Sequence, residues 1–339
     1  MNDFDAAKLM ADLQRGVQEM NQVIAKRVAP DSAALTLLNL TSEIYRWTDA
    51  EGSAHETDTF PTWQPAAGSR ATAEAEVHES SIAAYIEGFH PTSSTWWDSN
   101  PTRNLIMWSM EVLRRCLLTT LDSLSGAAAL LPSPGHSRAP IILSRSALEA
   151  GATVSSIVDP QLSSEERSRR LLNLRLAELH ESALDEDQRE EVAEMISFAE
   201  YLGFSVTRPK NRWVAPFVPG PTGRSDSSAQ AIERALPSVG RDLWRDQSAV
   251  AHSRATAILL ADEFAAPHEI DLGRQAESAA LNLLPAVMVL TELLPAISAF
   301  TGWAPLDARL HVQRCFQAMS SCAGLNDRAI RQELGFANG

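Results

Sequence analysis

Residues 140–158 carry apolar side chains in almost every helical direction, through Ile141, Ile142, Leu143, Ala147, Leu148, Ala150, Val154, Ile157 and Val158. A helix that is apolar all round has no face to give to water, so other elements must wrap it. That constraint predicts a central core helix with the rest of the chain built as a shell around it. The preceding stretch, from Asn100 and Pro101 to about Leu131, is predicted as one long helix, with Asn100 as its cap and Pro101 in its first turn. Only a short turn, residues 132–136, joins the two, so they are predicted to pack as a central antiparallel hairpin. The core helix also contains Arg145 and Glu149, spaced i, i+4. An unpaired buried charge is very costly, so these two are expected to find partners on another helix.

Around this hairpin the pattern stays helical. Phe4 to about Val28 has an apolar face, and a second helix is predicted after Pro30 and Asp31, with Leu35, Leu38, Ile44, Tyr45 and Trp47 as its buried positions. Residues 48–72, rich in Gly, Pro, Thr and acids, read as a solvated surface loop. Ser163-Ser-Glu-Glu-Arg supplies a cap and first-turn acids for a strongly charged helix to about Ala183, followed by another over 187–202. The run Leu283–Phe300 is long enough for a membrane span, but Glu292 lies within it and Pro285 and Pro295 predict kinks, so it reads as a buried or interface helix. Helices near 306–322 and 326–334 close the chain. No repeat or strand ladder is visible, so the predicted fold is all-α, a helical bundle of about ten helices. The suggested division is residues 1–98, N-terminal helices and loops, and 99–339, the main bundle, with one continuous domain as the alternative.

Charge and cysteine usage narrow the function classes. A formal net charge of −14 opposes encounter with nucleic acid or an anionic membrane over the whole surface, so a polyanion would need a local basic site. The only lysines are Lys8, Lys26 and Lys210, which leaves arginine to make geometrically fixed contacts. Cys116, Cys315 and Cys322 lack zinc-site spacing and read as reduced thiols of a cytoplasmic protein. The acidic start Met1-Asn-Asp-Phe-Asp lacks a secretory apolar region. Phosphate-loop, dinucleotide, nucleophile-elbow and HExxH signatures are absent. Glu76/His78 and Glu178/His180 are spaced i, i+2, which puts each pair on different faces, so no metal or other cofactor is expected. The eight tryptophans read as core and loop anchors.

Two stretches carry the candidate chemistry. In a helix predicted to run on to about Asp262, Arg241, Arg245, Ser248 and His252 share one stripe, which continues as Ala255 and Leu259. Before it, residues 204–228 break the helical pattern with prolines and glycines. Within that loop Arg208, Lys210, Arg212 and Arg224 occur without an acid between 208 and 224, beside Trp213 and Phe217. Such a loop can supply phosphate contacts and base stacking for RNA or a nucleotide, and can act as a lid, or it can be a solvated connector.

Arg245, followed by the polar Asp246 and separated by six residues from His252, resembles the signature of the HEPN superfamily of helical domains, many of them metal-independent ribonucleases. Arg175 and His180 give a second such pair, ranked lower because Leu176 follows the arginine on an exposed-looking charged helix. Arg145-Ser-Ala-Leu-Glu149, Val158-Asp-Pro160 with Glu166-Arg-Ser-Arg-Arg170, and Trp244 to His252 also resemble an uncharacterised family of helical actinobacterial proteins. The expected site joins Arg145, Glu149, Arg245, Ser248 and His252. His252 would do acid/base work oriented by Glu149, with an arginine holding a phosphate. The resemblance implies a ribonuclease in a defence or toxin-antitoxin setting. The alternative is a non-catalytic binding module or homodimeric assembly unit, in which the same Arg/Glu/His network is structural.

Overall fold

The computed structural model describes residues 6–54, 63–89, 103–132, 139–182, 186–211, 213–221, 228–237, 240–251 and 272–323. They form ten helices and no strand: α1 (Ala6–Ser53), α2 (Arg70–Phe89), α3 (Leu105–Leu130), α4 (Ala139–Val158), α5 (Ser164–Ser182), α6 (Glu186–Tyr201), α7 (Ser228–Ala235), α8 (Gly240–Ala251), α9 (Leu272–Thr301) and α10 (Arg309–Cys322). The fold is an all-α bundle.

The all-round apolar helix α4 is its axis, and α3 lies against it in the opposite direction, with Gly126 beside Leu143 while Thr120 reaches Ala147. The other flank of α4 is taken by α9, running parallel to it: Ser144 donates to the Asn282 carbonyl at one level, and Val289 lies beside Gly151 farther on. Gly151 faces both Val289 and Thr120, so at this level α4 is flanked by α9 and α3 at once. Helices α5, α7 and α8 also pack on α4, while α1 covers α3 and α10. The first part of the apolar run within α9 is consumed inside this arrangement, with every residue from Leu283 to Leu290 buried. Both α4 and α9 are long and apolar enough to cross a membrane by length and composition. Neither Pro285 nor Pro295 interrupts α9.

Several boundaries differ from those read in the sequence. Helix α3 starts at Leu105, and its cap is Asn104, whose Oδ1 accepts from the backbone N–H of Ile106 and Met107. Asn100 and Pro101 lie outside the described residues, as does the helix expected at 326–334. The cap expected of Ser163 is present, its Oγ accepting from the Glu166 N–H at 3.1 Å. Helix α1 runs through Pro30 as one 48-residue helix rather than two. Proline removes one ladder hydrogen bond, but Ala33, Ala34, Leu37, Leu40 and Ile44 anchor the following turns in the core. Leu35, Leu38 and Tyr45, expected inside, face out.

The loop expected over 48–72 is not simply a solvated connection. Helix α1 takes its first residues, and Trp63 is buried, its ring edge-on to Trp303 at 5.6 Å, with Trp47 on the other side of Trp303 at 5.7 Å. Gly52 is required there, because a Cβ would fall 2.3 Å from the Trp63 ring. The Trp303 indole donates to the Gln64 carbonyl and the Trp47 indole to the Ala304 carbonyl, so both polar handles are satisfied.

The helix expected to be charged and exposed, α5, turns its arginines inward. Arg167 is fully buried; its Nε donates to Glu74 at 2.9 Å, its two terminal nitrogens donate to the Ile157 and Asp159 carbonyls, and its guanidinium lies over Phe300. Arg70 pairs with the other oxygen of Glu74 at 2.8 Å and donates to the Pro160 and Leu162 carbonyls. Arg170 donates to the Ser156 carbonyl at 2.8 Å. Arg167 and Arg170 thus satisfy carbonyls that the end of α4 leaves without helical partners, and Arg70 holds the loop that follows it. Glu74→Ala is expected to destabilise the fold by about 3–5 kcal/mol, because it leaves Arg167 buried and unpaired. Urea unfolding of Glu74→Ala, of Arg167→Met and of the double variant measures this; a loss below about 1 kcal/mol for Glu74→Ala would refute the coupling.

Candidate functional site

The two helices expected to meet do so, though through different residues. Glu149 accepts from Arg145 Nε at 3.1 Å and from its terminal nitrogen at 2.9 Å, and the same oxygen accepts from the Trp244 indole at 2.9 Å. The Arg145 guanidinium also lies 5.9 Å from the Trp244 ring centroid. The inward face of α8 is therefore Trp244, Gln247 and Ser248, the last two buried. Gln247 donates weakly to Ser144 and to Asn282, joining α8 to both α4 and α9. Arg241 is exposed, and Arg245 points outward with its side chain 67% exposed and 3.3 Å from Asp242. Arg145, Glu149 and Ser248 are thus brought to one helix contact, and Arg245 lies on the opposite side of α8. His252, with the continuation expected to Asp262, lies outside the described residues.

The physical reason is charge balance. Arg145 and Glu149 already form a neutral pair, and a second guanidinium pressed against it would bury an excess positive charge. An indole N–H adds a third hydrogen bond to the same carboxylate oxygen without adding charge. The spacing of Arg245 and His252 could not distinguish these cases, because Trp244 sits only one position away on the same helix.

The lower-ranked pair is placed differently from its exposed appearance in the sequence. Arg175 is 8% exposed, pairs with Glu178 at 2.7 Å and lies over Trp108. Among the described residues no group of three or more His, Cys, Asp or Glu side chains converges as metal ligands. Cys116, Cys315 and Cys322 are free thiols.

The basic loop has a defined base. Thr207 and Phe217 exchange backbone hydrogen bonds as an isolated antiparallel bridge. Just beyond it the Asn173 side chain takes both backbone groups of Val218, at 2.9 and 2.7 Å, and Arg169 adds a third contact to the same carbonyl. The tip held out by this anchor carries Trp213, 78% exposed, with Arg208 and Lys210 exposed nearby and Arg208 bonded to Glu200 at 2.7 Å. Arg212 and Arg224 lie outside the described residues.

A further residue had no signal in the sequence beyond a rejected metal spacing. His78, on α2, is buried with neither ring nitrogen hydrogen-bonded, its ring edge against Phe198 at 5.4 Å. It lines a cavity of about 420 Å³ between α2, α3, α5 and the segment after α6. Leaving a buried polar group unpaired costs about 1–3 kcal/mol, so an orphaned imidazole beside a cavity is an unusual placement. Burial pushes its pKa down to about 4, against the opposing pull of the Glu79 carboxylate. Comparison of the chain with protein-family models, curated proteins and solved structures finds no match.

The depressed pKa has a defined consequence for stability. Between pH 6.5 and about 4 the unfolded chain protonates this histidine and the folded one does not, so the contribution is intact above pH 6.5 and is lost as pH falls toward 4. The loss is about 3 kcal/mol over that window. His78→Leu is expected to flatten this part of the stability profile in urea titrations from pH 7 to 4; a variant with the same profile as the wild type would refute the assignment.

Proposed function

We propose that the chain is a non-catalytic helical binding module that engages single-stranded RNA at the hairpin 207–217. The carrying observation is Trp213, a large aromatic side chain held 78% exposed on a loop whose base is bonded to α5. An exposed indole on an anchored loop is a stacking platform for an unpaired base, and Lys210 and Arg208 flank it for phosphates. The Arg208–Glu200 pair is solvent-exposed and therefore weak, so a phosphate can displace it. Because the net charge is −14, binding rests on this local patch and weakens steeply with salt. The Arg145–Glu149–Trp244 network supports the non-catalytic side of this reading, since the carboxylate expected to orient a base is held by Arg145 and by the Trp244 indole at one of its oxygens. Titration with oligouridylate at low salt should quench tryptophan fluorescence, and Trp213→Ala should weaken binding about tenfold or more with unchanged thermal stability. Equal affinity in the variant would reject the hairpin as the interface.

A HEPN-like metal-independent ribonuclease is the second reading, favoured by one observation. Arg245 stands exposed on the outer face of α8, 3.3 Å from Asp242 in a solvent-exposed and therefore weak pair that a phosphate arriving from solvent can displace. This reading predicts cleavage of RNA in EDTA, abolished in His252→Ala and strongly reduced in Arg245→Ala with both variants folded. Intact RNA after prolonged incubation, or full activity in His252→Ala, eliminates it.

A further inference from the structure

Helix α1 changes the side on which its apolar residues lie. Beyond Pro30, Ala33, Leu37, Leu40 and Ile44 are buried in the core. On the nearly opposite side of the same turns Leu35 is 60%, Leu38 37% and Tyr45 49% exposed, an apolar stripe turned to solvent. Before Pro30 the pattern reverses. With 3.6 residues per turn in one continuous helix, positions Lys8, Arg15, Glu19 and Lys26 share the side of the core-facing residues, whereas Leu13, Val17, Met20 and Ile24 share the side of Leu38. One apolar side therefore runs from Leu9 to Tyr45, roughly 54 Å of helix.

The charges on this side say what fits it. Between Leu9 and Tyr45 the only charged positions on it are Arg27 and Asp31, of opposite sign and equally distant from residue 29. A second copy of α1 laid antiparallel about residue 29 brings Arg27 of each chain to Asp31 of the other. The same register sets Met20 against Leu38 and Leu13 against Tyr45, so the exposed stripe of each copy meets the apolar turns before Pro30 in the other. A parallel pair would set Arg27 against Arg27 and Asp31 against Asp31, and like charges repel. The two cores lie on the outer sides of such a pair, because Leu37 and Ile44 face away from the stripe. A helix face of this length, about 10 Å wide, amounts to roughly 1,100 Å² over two copies, enough for a specific interface.

We propose that the outer side of α1 is a self-association surface on which a second copy of this chain docks antiparallel, with Arg27 and Asp31 fixing the register. The surface is separate from the RNA-binding hairpin and does not depend on it. The apolar stripe supplies the burial that drives association, and the two reciprocal Arg27–Asp31 contacts set direction and partner.

Sedimentation equilibrium of the full chain at physiological ionic strength provides the test. The chain should be a dimer at micromolar concentration. Leu38→Glu, at a position already exposed in the single chain, should weaken dimerisation about tenfold or more with the far-UV circular dichroism unchanged. Arg27→Asp and Asp31→Arg should each weaken it by a similar factor, and the double reversal Arg27→Asp with Asp31→Arg should restore it, which a parallel pair or an interface elsewhere would not do. A stripe covered by another part of the chain or by a different protein leaves the full chain monomeric. A monomer at every concentration, unchanged affinity in Leu38→Glu, or a double reversal as weak as the single ones each overturns the proposal. If Leu38→Glu does not fold, the two reversals and their combination decide it alone.

Discussion

The bundle depends on closing the C-terminal end of α4 with guanidinium groups. A helix apolar on every side can be surrounded by other helices, but its last carbonyls still need donors. Arg167 and Arg170 supply them from α5, Arg70 on α2 holds the carbonyls of the loop that follows, and Glu74 pairs with both Arg167 and Arg70. The arrangement also meets the negative end of the helix dipole with positive charge. Because Arg167 is fully buried, its charge is tolerable only while Glu74 and the carbonyls remain in place. The positions of α2 and α5 relative to α4 are therefore set together.

The same rule of paired charge governs the opposite part of α4. Arg145 and Glu149 neutralise each other, and the neighbouring helix contributes an indole rather than another cation. What α8 shows to the core is consequently Trp244, Gln247 and Ser248, while its arginines face solvent. Outward arginines and an anchored aromatic hairpin put the cationic contacts with any polyanion at the periphery, where the bulk charge of the chain is unfavourable and only local geometry favours the encounter.

Against this background His78 stands apart. Its neighbours on α2 and at the start of α3 are satisfied: Glu74 holds two arginines, and Glu79 accepts from Arg103 and Asn104. A buried group left without partners in a region so fully paired is a local cost that the surrounding packing has to offset. Its acid sensitivity and its cavity both come from burial by α2, α3 and α5.

The sequence by itself determined the helical class, the central hairpin and the Ser163 cap, because helical periodicity, all-round apolarity and capping chemistry are local properties of consecutive residues. It also showed that Arg145 and Glu149 would need partners, since the cost of an unpaired buried charge is independent of topology. Only the tertiary structure decided who those partners are. Trp244 and Arg245 differ by one position on α8, and packing against α4 chose between them. The inward arginines of α5, the continuity of α1 through Pro30 and the burial of Trp63 were illegible for a related reason. A charged helix, a proline and a loop each have a local preference, and distant residues such as Glu74, the core beneath α1 and Trp303 override it. His78 carried no local signal beyond its rejected spacing from Glu76, because the burial that leaves its nitrogens unpaired is created by helices that meet only in the folded chain.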